Sequence, residues 1–352
     1  MPFNALHDKV CALFFRAQKP VLFMSKLSID HVVAAQQRIK PYVIKTPLLQ
    51  SQLLNEWLGH EIIFKAECFQ KTGAFKIRGA ANILSWLKET GQQPKRIIAN
   101  SSGNHAQGVS FASKLFNLPA TIYSATNISG VKAAATSFYG ADLKLFETRK
   151  EADEQVAIAA EEEGTYWIPP FNHEQIVSGQ GTAALEALQE IGEVDGVCAP
   201  CGGGGLLSGT LIATRATSPK AEVFGAEPLA GNDAAESIRQ GSIQRLSESP
   251  KTLADGAATL AVGDITFPFL QQLDSFYEVD EPQIAYWTQW LQHLLKIHVE
   301  PTSAMTMGAV AEWLKGKRTK QRVLVILSGG NIDYLKMQAL WQDNHLENIP
   351  SL

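Results

Sequence analysis

Four consecutive glycines, Gly202–Gly205, form the first stretch of this sequence whose residue types and spacing suggest chemistry. They separate a run typical of a buried strand, Val194–Ala199, from one typical of a helix, Leu206–Thr217. Without Cβ atoms, the backbone N–H groups can crowd around an anion, and the following helix directs the positive end of its dipole there. A tight turn needs only one or two glycines, so the run predicts a phosphate-binding loop. No Gly-Lys-Ser/Thr follows it, which excludes a Walker loop.

A lysine placed between two apolar residues, Lys76 beside Phe75 and Ile77, opens a predicted helix. Most lysines on helices are solvated, and that is the alternative here. Burial, however, disfavours the charged ammonium and makes the amine available as a nucleophile. Lys76 is therefore a candidate for covalent attachment to a carbonyl group.

Two other loops place small polar side chains after predicted strands. One carries Ser101, Ser102, Asn104 and His105 into a helix, where N–H and hydroxyl donors suit a carboxylate, although an ordinary helix cap is the alternative. The other places Ser328 after an apolar strand.

Strands that alternate with helices must position these loops, and that alternation predicts a parallel sheet with helices on both faces. Ligands of such sheets bind at the carboxyl ends of the strands, where all these loops lie. The predicted strands are Glu61–Glu67, Arg96–Asn100, Ala120–Ser124, Leu143–Glu147, Val194–Ala199, Glu222–Ala226 and Arg322–Leu327. The predicted helices are Lys76–Leu87, His105–Phe116, Val131–Tyr139, Glu151–Glu163, Gly181–Ile191 and Leu206–Thr217.

Composition excludes several classes of protein. The 352 residues suggest two lobes, and a net charge of −4 gives no whole-protein attraction to nucleic acid or an anionic membrane. No apolar run is long enough to span a membrane. Residues 1–26 look like an amphipathic extension and not a signal peptide. Four unevenly spaced cysteines do not suggest a disulfide framework, so we expect reduced thiols and a cytoplasmic location.

The order of the motifs, from about Leu27 to about Asp333, resembles the threonine/serine dehydratase and serine racemase family. These are pyridoxal-phosphate (PLP) enzymes of fold type II, the tryptophan synthase β-like fold. The resemblance implies a two-lobed α/β protein with parallel sheets flanked by helices. The motifs that carry it are Glu67–Ala80, Ser101–Gly108, Gly179–Thr182, the tetraglycine run, Ala254–Gly256, Glu300–Thr302 and Ser328–Asn331.

The resemblance also implies roles for individual residues. Lys76 matches the lysine that binds PLP covalently, and Phe75 the aromatic residue against the cofactor ring. Asn104 matches the amide at the ring hydroxyl, Ser328 the serine at the pyridine nitrogen, and Gly202, Gly203, Gly204 and Gly205 the phosphate loop. The residues that match the loop for the substrate carboxylate are Ser101, Ser102, Asn104 and His105. One departure is Ala74, where the family often has serine.

The implied reaction is β-elimination of L-threonine or L-serine to a 2-oxo acid and ammonia. Ser102 also matches the serine that, in racemases of this family, lies on the opposite side of Cα from the lysine. Serine racemisation and dehydration of threo-3-hydroxyaspartate are therefore enzymatic alternatives. An inactive amino-acid or PLP-binding protein is the non-enzymatic one. A nicotinamide oxidoreductase would need an early G-x-G-x-x-G loop, which the sequence lacks.

The resemblance further implies a homodimer and a discontinuous large domain, residues 27–86 and 176–345, around a small domain of residues 87–175. No C-terminal regulatory domain follows, so we do not expect feedback inhibition by isoleucine. Glu227, Gly231 and Asp233 match a site for Mg²⁺ or another divalent cation, with a solvated acidic loop as the alternative.

Three other patterns have ordinary structural interpretations. The pair Cys198 and Cys201 reads as two small apolar fillers and not as a redox or zinc motif. The segment Gly231–Asp264 is predicted to be a long surface excursion. An apolar stripe predicts a helix face in the core or at a dimer interface: Trp287, Trp290, Leu291, Leu294 and Leu295.

Overall fold

The computed structural model of the chain describes residues 27–352, and the predicted extension of residues 1–26 lies outside this range. Its strands are β1 (Leu48–Leu49), β2 (Glu61–Ala66), β3 (Arg96–Asn100), β4 (Ala120–Ala125), β5 (Asp142–Phe146), β6 (Thr165–Trp167), β7 (Gly196–Pro200), β8 (Glu222–Pro228), β9 (Ser275–Val279) and β10 (Arg322–Leu327). Its helices are α1 (Ile29–Ile39), α2 (Gln52–Leu58), α3 (Lys76–Glu89), α4 (Asn104–Leu115), α5 (Gly130–Phe138), α6 (Arg149–Ala160), α7 (Glu174–Ile191), α8 (Gly205–Thr217), α9 (Asp233–Gln240), α10 (Phe267–Leu270), α11 (Glu281–Leu295), α12 (Pro301–Ala304), α13 (Thr306–Leu314) and α14 (Tyr334–Leu340).

The strands form two sheets. The larger has the order β1-β2-β10-β7-β8-β9, in which only the two-residue strand β1 runs antiparallel to its neighbour. The smaller has the order β5-β4-β3-β6 and is entirely parallel. Strands β7 and β10 are buried almost throughout, as their continuous apolar runs predict. The expected α/β class with parallel sheets flanked by helices is therefore confirmed.

The predicted helix Gly181–Ile191 begins seven residues earlier in the structure, at Glu174. The sequence did not predict these first seven residues because Gly179 and Gly181 lie in or next to them, and glycine is unfavourable inside a helix. Here they let neighbouring backbones come close. A Cβ on Gly179 would lie 2.7 Å from the Cα of Gly79 in α3, and one on Gly181 would lie 2.7 Å from the carbonyl oxygen of Gly209 in α8. Small residues thus pack α7 against the two helices that lead from the site loops.

The predicted surface excursion Gly231–Asp264 is only partly correct. The segment contains α9 and a 3₁₀ turn, Asp255–Ala257, and several of its side chains are buried. The segment is rich in Ser, Gly and Asp, so its composition did not indicate that its alanine and valine side chains are buried. The buried apolar residues are Ala234, Ala235, Ala254, Ala257, Ala261 and Val262.

The apolar stripe that contains Trp287 and Trp290 lies in the core, which is one of the two locations predicted for it. Trp287, Trp290 and Leu291 are buried on α11, and Leu294 and Leu295 pack against the same cluster. The two cysteines of the C-x-x-C pattern are free and buried, in different apolar clusters on either side of β7. Their burial among apolar side chains agrees with the predicted role as apolar fillers, and the same burial raises the pKa of both thiols. Every helix within residues 27–352 is too short or too polar to span a lipid bilayer.

Candidate functional site

A cavity of about 470 Å³ lies where the carboxyl ends of several strands meet. It collects residues that are as far apart in the chain as Phe75 and Ser328. The loops that contribute them follow β2, β3, β7 and β10, which places them at the edge where ligands bind in doubly wound sheets. The residues singled out in the sequence that line this cavity are Phe75, Lys76, Ser101, Ser102, Asn104, His105, Gly202, Gly203, Gly204, Gly205 and Ser328.

Lys76 is the first residue of α3 and lies against the ring of Phe75, with Nζ 5.2 Å from the ring centroid. Its Nζ donates a hydrogen bond of 2.8 Å to the carbonyl oxygen of Pro170. Removal from water lowers the pKa of Lys76 to about 8, and the nearby Glu300 carboxylate opposes that shift. A substantial fraction of the amine is therefore neutral near physiological pH, as a nucleophile requires.

The tetraglycine loop is held in place by a hydrogen bond to the carbonyl group of Gly203. Thr266 Oγ1 donates to the Gly203 carbonyl oxygen at 2.7 Å, and Gly204 has a φ of +90°, which favours glycine. Within the described part of the chain, the N–H groups of Gly202 and Gly203 donate to no backbone acceptor, whereas the N–H of Gly204 faces the thiol of Cys201.

The loop has no room for side chains. A Cβ on Gly203 would lie 2.2 Å from the ring of Phe171. Free N–H groups at the start of α8 suit a phosphate, so this loop fits the phosphate of PLP.

The loop after β3 supplies hydroxyl and amide groups at the start of α4. Ser102 Oγ lies 2.8 Å from Ser124 Oγ, and Ser101 Oγ accepts the N–H of Gly103 at 3.1 Å. His105 is buried, with Nε2 2.9 Å from the carbonyl oxygen of Ile168. Burial and the charge of Lys76 lower the pKa of His105 to about 3, so its ring is neutral. His105 therefore anchors the loop, and a carboxylate here would meet mainly N–H and hydroxyl donors.

Asn104 is held firmly from both ends of its amide. Its Nδ2 lies 3.0 Å from each carboxylate oxygen of Glu300, and its Oδ1 accepts a hydrogen bond of 2.9 Å from Asn331. Burial, followed by the charge of Asp255, raises the pKa of Glu300 to about 7. The sequence motifs include Glu300, but nothing in their spacing indicated that it faces Asn104 and influences Lys76.

A cluster that sequence reasoning missed lies in the cavity wall. Asp255 accepts hydrogen bonds from Lys132 at 3.0 Å and from Lys336 at 2.5 Å. The two lysines come from helices that are about 200 residues apart in the chain, so only the fold brings them together. Arg149 lines the same cavity. The sequence signal for this cluster is the Ala-Asp-Gly motif, but the motif alone does not indicate which cations its aspartate contacts.

The residues predicted to bind a cation lie outside the lining of this cavity. Glu227 accepts the N–H groups of Ala234 and Ala235, at 3.1 and 2.7 Å. The carboxylate of Asp233 is also buried, and the donors near it are its own backbone N–H and the hydroxyl of Thr259. Gly231 is also buried. Two buried carboxylates fit a hard divalent cation. No group of three or more His, Cys, Asp or Glu residues that could hold a metal occurs in residues 27–352, so carbonyl groups or water would complete the shell.

Magnesium is therefore expected to stabilise the protein through Glu227 and Asp233. Saturating MgCl₂ should raise the melting temperature by a few degrees relative to excess EDTA, because ligand at about 100 times Kd adds about 2.7 kcal/mol. Asp233→Asn should abolish the rise, whereas substitution of the exposed Glu248 by glutamine should leave it intact. Equal melting temperatures with MgCl₂ and EDTA would contradict the cation site.

Comparison with known proteins places this geometry in context. Residues 39–329 match the family described as pyridoxal-phosphate dependent enzyme. The chain is 43% identical over 312 residues to L-threo-3-hydroxyaspartate ammonia-lyase of Saccharomyces cerevisiae, covering 88% of this chain and 94% of that protein. It is 40% identical to serine racemase of Schizosaccharomyces pombe, covering 86% and 94%.

Solved structures show the same fold. Maize serine racemase superposes with a TM-score of 0.83 at 36% identity, covering 91% of this chain and 98% of that one. Threonine deaminase isoform 2 of Solanum lycopersicum superposes with a TM-score of 0.85 at 29% identity, covering 92% and 95%. The family match spans most of the chain and includes the lysine, the tetraglycine loop and the serine that line the cavity. The chain therefore belongs to the family of pyridoxal-phosphate dependent enzymes, with the fold-type II architecture.

Proposed function

We propose that this protein is a PLP-dependent ammonia-lyase that eliminates water from small L-3-hydroxy amino acids, L-serine and L-threonine among them. The observation that carries this proposal is Lys76, an amine of lowered pKa in a cavity that also holds the free N–H groups of the tetraglycine loop. A protein that only bound the cofactor or an amino acid would not need such an amine.

Bound PLP would supply an electron sink for the carbanion at the substrate Cα. Lys76 would hold the cofactor covalently and, once displaced by substrate, take the Cα proton at Nζ. The tetraglycine N–H groups would bind the phosphate, and Phe75 would lie against the ring. The loop of Ser101 and Ser102 would orient the substrate carboxylate.

The neutral hydroxyl of Ser328 favours elimination over other outcomes. It is buried at the end of β10, and its side-chain oxygen lies 3.0 Å from the hydroxyl of Ser303. Unlike a carboxylate, a hydroxyl does not hold a pyridine nitrogen protonated. The negative charge at Cα is then less delocalised, so loss of a β-substituent competes well with reprotonation.

L-threo-3-hydroxyaspartate is a second candidate substrate, and one feature of the cavity favours it. Lys132, Arg149 and Lys336 all line the cavity, and two of these cations share the single carboxylate of Asp255. A second carboxylate on the substrate would find cations within the same wall. Two of the relatives, including the one at 43% identity, are named for this substrate.

The direct test is release of 2-oxo acid by the purified protein with PLP. L-serine, L-threonine and L-threo-3-hydroxyaspartate are compared by kcat/KM. Release from any of them supports the ammonia-lyase, and their ratio identifies the preferred substrate. A protein that binds the cofactor but releases no 2-oxo acid from any of the three amino acids would contradict the proposal. Racemisation would then be measured by chiral analysis of recovered serine.

Ser102→Ala is expected to leave PLP binding intact and to lower any racemisation of serine more than elimination from L-serine. The reason is that racemisation needs a proton-exchanging group on each side of Cα, whereas elimination from the L-substrate needs a base on one side of Cα and a proton for the leaving hydroxyl. Racemisation should fall by about 10²-fold, the scale of one general acid-base group. Both rates are measured in one reaction, with Ser110→Ala, a buried serine of α4 that does not line the cavity, as the control. An equal loss of the two activities would rule out the two-sided mechanism.

The homodimer, the cytoplasmic location and the domain boundaries stay predictions. The four strands of the smaller sheet all fall between residues 87 and 175, which supports a small domain there. Helix α3, however, runs across the predicted boundary at residue 86. Its Ile83, Leu84 and Leu87, which lie on both sides of that boundary, pack in one apolar cluster with the smaller sheet.

A further inference from the structure

Two lysines in the wall of the cavity share one carboxylate. Lys132 is on α5, which follows a strand of the smaller sheet, and Lys336 is on α14, which follows a strand of the larger sheet. Their Nζ atoms lie 3.0 and 2.5 Å from the same oxygen, Oδ2 of Asp255. All three residues line the cavity. The two ammonium groups are therefore spaced so that a carboxylate fits between them.

The cluster carries two ammonium groups against one carboxylate. Burial alone would lower the pKa of Lys132, but the charges of Asp255 and Glu300 outweigh burial and raise it. Burial alone would likewise raise the pKa of Asp255, but the two lysines outweigh burial and lower it. Groups other than these lysine side chains donate hydrogen bonds to the remaining carboxylates of the cavity lining, namely Asp153, Glu300 and Asp333. A further carboxylate is therefore the group that would balance the second lysine.

The side chain of Asp255 can leave the lysines without disturbing its own turn. It is 34% exposed, and within residues 27–352 its hydrogen bonds come from Lys132 and Lys336. The 3₁₀ turn around it is held instead by main-chain hydrogen bonds and by Thr302, whose Oγ1 accepts the N–H of Gly256 at 3.0 Å. A carboxylate that enters the cavity can therefore take the place of the Asp255 side chain while the backbone stays fixed.

We propose that Lys132 and Lys336 form a clamp for the distal carboxylate of a dicarboxylic amino acid, and that Asp255 is the counter-ion which this carboxylate displaces. The two lysines determine the specificity, and Asp255 is a positioning residue that holds them until the substrate binds. The proposal rests on the proposed function, because it needs an amino acid in this cavity. It deepens that function by naming the residues that separate a dicarboxylic substrate from a neutral one.

The phosphate of PLP is the other anion that two lysines can hold. The turn that contains Asp255 packs beside the tetraglycine loop, since a Cβ on Gly202 would lie 3.2 Å from the Cα of Ala257. Two observations favour the substrate. The phosphate has the N–H groups of the glycine loop and the start of α8 for its own charge, and the group that now lies between the lysines is itself a carboxylate.

The test compares the affinity of the PLP-loaded protein for L-aspartate and for L-asparagine, which has the same shape but an amide in place of the distal carboxylate. Neither amino acid carries a β-hydroxyl, so binding is measured without elimination of water. The change in the absorbance of bound PLP gives the dissociation constants, and titration calorimetry gives them where the absorbance does not change. L-aspartate should bind at least about tenfold more tightly, the scale of one charge-assisted hydrogen bond.

Three variants assign this preference to the cluster. Lys132→Gln and Lys336→Gln should each weaken the binding of L-aspartate about tenfold and leave that of L-asparagine nearly unchanged. Asp255→Asn should act in the opposite direction and strengthen the binding of L-aspartate about tenfold, because its carboxylate no longer has to displace another. A merely structural role of Asp255 would weaken the binding of both amino acids.

Lys317→Gln is the matched control. Lys317 also pairs with a carboxylate, that of Glu222 at 2.9 Å, and its side chain is 28% exposed against 32% for Lys336. It does not line the cavity, so its substitution should change neither dissociation constant.

Equal affinity for the two amino acids in the unmodified protein, or an unchanged preference in either cavity-lysine variant, would overturn the clamp. Weaker binding of L-aspartate by Asp255→Asn would overturn the role of Asp255 as a displaced counter-ion. A loss of PLP affinity in the lysine variants would assign the lysines to the cofactor phosphate and overturn the proposal as well. Release of 2-oxo acid is measured separately, so a failure of the ammonia-lyase activity is distinguishable from each of these results.

Discussion

Substitution of Lys76 by alanine is expected to abolish the visible absorbance of bound PLP and to lower turnover by at least about 10³-fold. Under the proposed function, the variant would lose both the group that holds the cofactor and the base that faces Cα. Its fold should persist, because Nζ makes one hydrogen bond, to the carbonyl oxygen of Pro170. Pro170 lines the cavity, so this oxygen stays at the cavity wall when the lysine side chain is removed. Absorbance spectra and 2-oxo acid release measure the two losses, and Lys71→Ala, an exposed lysine of the same loop, is the matched control. A variant that remained coloured and active would disprove the assignment.

The lowered pKa of Lys76 adds a dependence on pH that alanine substitution cannot test. Only the neutral amine attacks the aldehyde of PLP, and its fraction rises with pH up to about 8. The rate of cofactor capture by the apoprotein should therefore rise steeply below pH 8 and level off above it, with about a hundredfold difference between pH 6 and pH 9. A lysine of ordinary pKa would keep gaining rate beyond pH 9, and stopped-flow absorbance separates the two cases.

Much of the site could be predicted because its motifs are local in the sequence. Short runs such as Phe75–Lys76 and Gly202–Gly205 each follow one strand, and the rule that ligands bind at the carboxyl ends of parallel strands brings them together. Strands β3 and β10 have the predicted limits because their ends are marked by a clear change from apolar to polar residues.

Contacts between distant elements could not be predicted in the same way. Nothing in the sequence indicates that Lys132 and Lys336 share Asp255, or that Glu300 faces Asn104. The strand β9 was missed because its residues are only partly buried and show little alternation. The first seven residues of α7 were missed because glycine, a poor helix former, is used there for close helix packing. In each case tertiary packing decides the structure, and local propensity does not reveal it.

Arg78→Met is expected to cause the largest loss of stability, about 3 to 5 kcal/mol in the free energy of unfolding. Arg78 is fully buried two residues after Lys76 and holds two carboxylates at once. It donates to Glu67 at 2.7 and 2.8 Å and to both oxygens of Glu186 at 2.8 Å. Lys65 Nζ contacts Glu186 at 2.9 Å but forms no ion pair with Glu67. Removal of the guanidinium would therefore leave Glu67 as a buried carboxylate without its cation, which is the costly part of the change.

Arg239 provides a control that separates burial from the number of ion pairs. It also holds two carboxylates, Glu236 and Glu278, but on the surface, where its side chain is 48% exposed. Arg239→Met should cost only about 0 to 1 kcal/mol, since water replaces the lost contacts. Denaturant unfolding of both variants gives the comparison.

The double variant Arg78→Met/Glu67→Gln tests the physical cause. If the unpaired buried charge dominates the cost, removing that charge should recover part of the stability lost in Arg78→Met. A double variant that is less stable than Arg78→Met would show instead that the geometry of the hydrogen bonds dominates. Because the network joins β2, α3 and α7 directly behind the site, its loss should also slow cofactor capture by Lys76, even though no member of the network lines the cavity.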